Sequence, residues 1–138
     1  MPPAINVSNT WNLMGGNDVV TAVSGRDTMW GGGGADTLNA GFRGDALAGG
    51  SGADLFVFAP KTTGSGLSAD RIEDFVSGLD RIDVPTLNPV FNGDAALTAP
   101  GQVRFDPVTH MLQWFDSNMI VAEISLVNVT AITRADLL

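Results

Sequence analysis

Residues 13–57 read LMGGNDVVT AVSGRDTMW GGGGADTLN AGFRGDALA GGSGADLFV, five nonapeptides laid end to end. Aspartates fall at 18, 27, 36, 45 and 54, nine apart without a slip. Two residues after each stands an apolar side chain: Val20, Met29, Leu38, Leu47 and Phe56. Two residues before four of them stands glycine, at Gly16, Gly25, Gly34 and Gly52, while Arg43 takes that place in the fourth copy. A period of the form G-G-x-G-x-D-x-U-x, with U apolar, is the pattern of a parallel coil of short strands. The third and fifth copies match it at every fixed position; the others are degraded but in phase.

Within each copy the first six residues are expected to turn and the last three to form a strand whose apolar residue points inward. One strand in nine residues cannot close a coil, so two nonapeptides make one turn of a flattened spiral. Repeats one, three and five then stack along one edge, and repeats two and four along the other. The phase also runs back through AINVSNTWN, with Trp11 in the apolar slot and Asn9 in place of aspartate. Residues 1–12 are therefore expected to form a lead-in cap without metal, and LFVF at 55–58 to lengthen the last strand and end the roll.

Beyond it, residues 58–138 read as a β-rich C-terminal cap. A loop, APKTTGSGLSA, leads into DRIEDFVSGLDRIDV, two alternating runs around a Ser77-Gly78 turn with Ile72, Phe75, Leu79, Ile82 and Val84 expected inside. Pro85, Pro89 and Pro100 punctuate a linking region. QVRFD, MLQWFD and MIVAEISLV then read as an antiparallel meander turning at Asp106-Pro107 and at Asp116-Ser117-Asn118. The expected fold is all-β: a parallel β-roll continuing into an antiparallel β-sandwich-like cap, as a single domain over 1–138.

Net charge is −8, and no basic patch is present to neutralise phosphates, which argues against nucleic acid as a partner. Thirteen of the fifteen acids are aspartate, the shorter carboxylate, favoured in turns and in tight oxygen-lined cation sites. Twelve of the seventeen glycines lie between 15 and 52, so glycine belongs to the repeat as well. There is no cysteine, hence no disulfide or thiolate metal site. No apolar run approaches the ~18 residues of a membrane helix, and the start, MPPAINVSNTWN, has neither the basic nor the apolar region of a cleaved signal peptide.

Stacking creates a charge problem. Neighbouring strands sit ~4.8 Å apart, so aspartates 18, 36 and 54 form one ladder and 27 and 45 another. Two unit charges ~5 Å apart repel by about 3 kcal/mol at an effective dielectric near 20, against a typical domain stability of ~5–15 kcal/mol. Arg26 and Arg43 are the only basic residues in the repeats. A calcium ion between consecutive turns resolves the conflict, because it takes 6–8 oxygens in irregular geometry and mixes carboxylates with carbonyls. Magnesium, with its stricter octahedron, fits worse. The ladder gives about three inter-turn sites, pairing Asp18 with Asp36, Asp36 with Asp54 and Asp27 with Asp45. Further oxygens come from the glycine-rich segments at Gly16, Gly25, Gly31, Gly33, Gly34, Gly49, Ser51 and Gly52. Asp36 serves two sites, and Arg43 and Arg26 weaken the 27/45 edge.

The nonapeptides resemble those of the repeats-in-toxin (RTX) proteins exported by type I secretion. GGSGADLFVF, a loop and ADRIEDFVSGLDRIDV are similar to the C-terminal domain of serralysin-type metalloproteases and to the calcium-binding modules of alginate epimerases; VRFD…LQWFD…EISLVNVTAITRADLL is similar in layout to that domain's closing strands. The resemblance implies that Asp70, in the D-x-I-x-D-F segment, joins a calcium site near the last repeat. It also implies a chain that stays unfolded in the calcium-poor cytosol, is addressed to the type I apparatus by an uncleaved C-terminus ending Ala135-Asp136-Leu137-Leu138, and folds on calcium outside the cell. A secreted location follows.

Catalytic signatures are not found. The single histidine, His110, excludes a two-histidine zinc-protease helix, and its ordinary reading is an exposed strand-end residue. No G-x-S-x-G elbow is present, and Gly31–Gly34 is not followed by the Lys-Ser/Thr of a phosphate-binding loop. Asp70, Asp74, Asp80 and Asp83 read as structural or calcium-related. Trp30, Phe42 and Trp114 are expected mainly in the core, the alternative being a sugar-stacking surface. The expected function is a non-catalytic calcium-binding module that folds on external calcium and supports secretion. The alternative is a calcium-dependent module that binds acidic polysaccharide.

Overall fold

A computed structural model describes residues 8–58, 70–84, 89–115 and 121–138. Twelve strands form two sheets. β1 (Thr10–Asn12), β3 (Thr28–Gly33), β5 (Ala46–Ser51) and β7 (Asp70–Ile72) stack parallel in one; β2 (Val19–Thr21), β4 (Thr37–Asn39), β6 (Leu55–Val57) and β8 (Arg81–Asp83) stack parallel in the other. The chain alternates between sheets every nine residues, so register advances by 18: Val20 faces Leu38, and Leu38 faces Phe56. Two nonapeptides do make one coil.

The apolar slots build the core. Met29, Leu38, Leu47, Phe56, Ile72 and Ile82 are fully buried, in columns running along the roll between the sheets. Each such side chain contributes about 1.5–3 kcal/mol by leaving water. Trp11 fills the lead-in slot opposite Met29, and the amide of Asn9 binds Asp27 Oδ1 at 2.7 Å, so the lead-in coil is real at least from Ser8 onward.

Three features depart from expectation. β3 and β5 run for six residues, not three, because the second and third residues of repeats three and five continue the pairing (Gly32 with Gly50, Gly33 with Ser51). The roll does not end at Phe58. Asp70-Arg71-Ile72 and Asp80-Arg81-Ile82 add a further coil on β5 and β6. Leu79 is 49% exposed, since it sits in the turn between Val76 and Asp80 and not on a strand.

The expected meander is present as β10 (Gln102–Asp106), β11 (Met111–Phe115) and β12 (Val121–Leu126), all antiparallel. It does not form a separate layer. β12 pairs parallel with β7, so the meander, ending in β9 (Val90–Phe91), extends the first sheet to eight strands. Val103, Leu112, Trp114 and Ile124 carry the core onward. The tail closes on the second sheet: a 3-10 turn at Arg134–Asp136 leads to a parallel bridge between Leu137 and Ile82. The expected loop at 59–69, Pro85 and the Asp116-Ser117-Asn118 turn lie outside the described residues.

Candidate metal centre

The two edges of the roll are the turns that pass between sheets. The first edge stacks 13–18, 31–36, 49–54 and 74–80; the second stacks 22–27 on 40–45. On both, the aspartates tie one coil to the next in the same way, with Oδ1 accepting the backbone N–H of the residue one coil earlier. On the first edge Asp18 N–H donates to Asp36 at 2.8 Å, Asp36 N–H to Asp54 at 2.9 Å, and Asp54 N–H to Asp80 at 3.0 Å. On the second, Asp27 N–H donates to Asp45 at 2.7 Å and Asp45 N–H to Asp70 at 2.9 Å. Aspartate suits this position because its short side chain reaches an amide one strand spacing away; the extra methylene of glutamate would overshoot it.

That bond uses one oxygen. The other, Oδ2, is buried on Asp18, Asp27, Asp36 and Asp54 with no hydrogen-bond partner. A buried polar atom left so costs about 1–3 kcal/mol, more when charged. Where Oδ2 points is fixed by the first residue of the copy. A methyl group built on Gly31 would lie 2.3 Å from Asp36 Oδ2, and one on Gly49 would lie 2.1 Å from Asp54 Oδ2. Asp36 and Asp54 thus tuck their spare oxygen against bare glycine backbone inside their own turns.

The charges reinforce one another. Burial pushes the Asp54 carboxyl above its ordinary range; the Asp36 amide pulls it back, and Asp80, Asp36 and Asp74 push it up again. Burial likewise raises Asp80, against the bonds from the Asp54 and Val76 amides, with Asp74 and Asp136 adding to the rise. No lysine or arginine occurs in the first-edge turns. Among the described residues no three acidic or histidine side chains converge, so an ion here would take at most two carboxylates and complete its shell from backbone carbonyls. Gly33 and Ser51 offer only a second lone pair, because their carbonyls already accept Gly16 and Gly34 N–H at 2.7 and 2.8 Å. With that shell, oxygen-only and irregular, the residues fit calcium.

Asp80 and Asp74, expected to be structural or calcium-related but not assigned to a site, cap the first edge. Asp80 caps the first-edge ladder with both oxygens occupied, by Asp54 and Val76 amides. Asp74 closes over the fifth turn, accepting Gly49 and Gly50 N–H at 2.9 and 2.8 Å. The signal for Asp80 was in the sequence: D-x-I at 80, like that at 70, copies the D-x-U of the repeats, only off the nine-residue beat.

The elements expected to lack catalysis can also be placed. His110 is half-buried at the β10–β11 hairpin, its Nδ1 2.6 Å from the Val129 carbonyl, not at an exposed strand end. Trp114 is core, but Trp30 and Phe42 are 44% and 49% exposed.

The family model for the peptidase M10 serralysin C-terminal domain matches residues 6–138. The chain belongs to this family. A serralysin C-terminal domain is the non-catalytic part of its protease, and its RTX-type roll is a calcium-binding one. Among solved structures it is similar to the R3 subunit of the AlgE6 mannuronan C5-epimerase from Azotobacter vinelandii, with 26% identity and a TM-score of 0.62, over 99% of this chain and 81% of that one. A comparison with curated proteins returns no significant match. No helix is long and apolar enough to cross a membrane among the described residues.

Proposed function

We propose that this serralysin C-terminal domain is a non-catalytic module whose folding is switched by calcium bound along its first edge. The ions sit between successive turns, one flanked by Asp18 and Asp36 and one by Asp36 and Asp54. The observation that carries this is the row of buried, unpartnered Oδ2 atoms at Asp18, Asp36 and Asp54, in turns without any basic residue. Calcium supplies the missing positive charge there. Asp36 is the hub of the two sites. Asp36→Asn keeps an acceptor for the Asp18 amide but removes charge from both sites. It is expected to weaken calcium binding at least tenfold by calorimetry, and more than Asp45→Asn; equal losses would count against the assignment.

The same module supports type I secretion. The C-terminal residues fit an address that is read before folding, because folding buries its middle: Asp136 and Leu137 are 1% and 2% exposed, while Leu138 stays 43% exposed. The extracellular medium then supplies the calcium that folds the exported chain. Deleting residues 133–138 is expected to abolish export; undiminished export would remove this role.

Acidic polysaccharide as a partner is favoured by one observation. Trp30 projects from the outer face of the first sheet, between Asn12 and Ala48, where a sugar ring can stack. Titration with alginate oligomers in calcium, comparing the protein with Trp30→Ala, tests it: unchanged NMR spectra around Trp30 would exclude it.

A further inference from the structure

The second edge repeats the aspartate ladder but not its surroundings. On the first edge the first copy begins with Leu13, but the third and fifth begin with Gly31 and Gly49, and each of these leaves room for the spare oxygen of Asp36 or Asp54 where a methyl group would clash. On the second, the copies begin with Ala22 and Ala40, both buried in the core with their methyl groups in place. Asp27 and Asp45 therefore cannot tuck Oδ2 where Asp36 and Asp54 do.

The turn backbone differs too. The second residue of the copy has positive φ at Met14, Gly32, Gly41 and Gly50, but Val23 does not. The carbonyls of turn 22–27 consequently do not repeat those of the first edge, and a cation shell built from them loses its symmetry partner.

Charge is the third difference. Arg26 and Arg43 stand in the turns of this edge, and Arg71 follows on β7, its guanidinium ion-paired with Glu73. Arg26 and Arg71, with Asp27, Asp45, Thr28 and Ser125, line a groove of about 310 Å³ beside the two carboxylates. A divalent cation there would share the groove with the Arg26 guanidinium, whereas no arginine or lysine occurs in the first-edge turns.

Asp27 Oδ2 is buried without a hydrogen-bond partner, as on the first edge, but its surroundings differ in these three ways. We propose that calcium binding is confined to the first edge, and that the second edge closes without an ion, its turns joined by the aspartate–amide ladder beside the arginine-lined groove. The two edges then divide the work. In the folded domain the second edge stacks turns 22–27 and 40–45 through the aspartate–amide bonds without an ion, and the first edge alone takes the calcium on which folding depends. This rests on the calcium reading of the first edge.

Lanthanide substitution tests it on the unaltered chain. Terbium exchanged for calcium in the calcium-loaded protein gives pseudocontact shifts that locate each ion. All ions are expected between turns 13–18, 31–36 and 49–54, and an ion between Asp27 and Asp45 would overturn the proposal. Calorimetry on the Asp27→Asn/Asp45→Asn double variant, with calcium alone, should show the same number of equivalents as the parent and a midpoint shifted less than about threefold; loss of one equivalent would also overturn it. Binding nowhere would defeat the calcium reading itself, whereas binding on both edges would defeat only this inference.

Discussion

The fourth position of the nonapeptide shows how tightly the coil governs single residues. It has positive φ in every copy: 120° at Gly16, 119° at Gly25, 129° at Gly34, 91° at Arg43 and 128° at Gly52. Glycine takes this conformation without a Cβ penalty; arginine does not. The stacking of neighbouring coils imposes it on Arg43 all the same. Arg43→Gly should therefore stabilise the folded domain by about 1 kcal/mol, raising Tm in saturating calcium by roughly 3–5 °C. An unchanged or lower Tm would mean that the guanidinium returns more than the strain costs. Gly34→Ala should do the reverse and more severely. Its Cβ would lie 2.0 Å from the Gly16 carbonyl oxygen, which is backbone and cannot step aside, so a loss above about 3 kcal/mol is expected in thermal or denaturant unfolding. Strain at Arg43 was legible in the sequence, because the period assigns that slot to glycine. The contact between Gly31 and the Asp36 carboxylate was not, since it depends on which way a side chain turns.

Among the elements, the C-terminal turn is the one that ties the ends of the fold together. Asp136 is buried and accepts four hydrogen bonds: from Ser77 Oγ at 2.8 Å, Gly78 N at 2.7 Å, Thr133 N at 2.7 Å and Thr133 Oγ1 at 3.1 Å. It clasps the tail to the last turn of the first edge. Burial alone would raise its carboxyl, but the Thr133 and Gly78 amides and the two hydroxyls outweigh that and hold it below the ordinary range. A lowered native value means stability that is fully present above the ordinary carboxylate pKa and lost as pH falls through the native one. Asp136→Asn should thus cost about 2 kcal/mol at neutral pH, and the gap between parent and variant should narrow as pH drops toward the acid range below the ordinary carboxylate pKa. A gap independent of pH would show that the carboxylate charge is not what holds the clasp. This element was only half visible beforehand. ITRADLL announces an acid before an apolar end, but its receptor, Ser77-Gly78, lies 58 residues away in sequence. The same distance problem hid the extra coil. Asp70-Arg71-Ile72 and Asp80-Arg81-Ile82 carry the repeat's tripeptide, yet the segments between them break the period, and pairing with β5 and β6 is what makes them strands. The meander was readable because alternation within a strand is local; its edge-on join to β7 was not.

For the whole molecule, the sheets and core are built of ordinary apolar columns, and the stress is concentrated on the edges. Along the first edge the ladder of aspartates 18, 36, 54 and 80 runs with no basic residue in its turns, and three of its oxygens are buried without partners. Ligand bound at a hundredfold excess over Kd contributes about 2.7 kcal/mol per site, so two ions at the proposed sites would contribute roughly 5 kcal/mol, comparable to the stability of a typical domain. On the proposed reading, binding and folding are one event. The period of nine, the glycines and the aspartates together specify a roll that is complete in covalent terms and electrostatically unfinished. Far-UV circular dichroism of the domain, recorded in excess chelator and then through a calcium titration, tests this most directly. A largely unfolded spectrum in chelator that converts cooperatively to a β spectrum as calcium is added is the expected result; the same β spectrum in both conditions would contradict it.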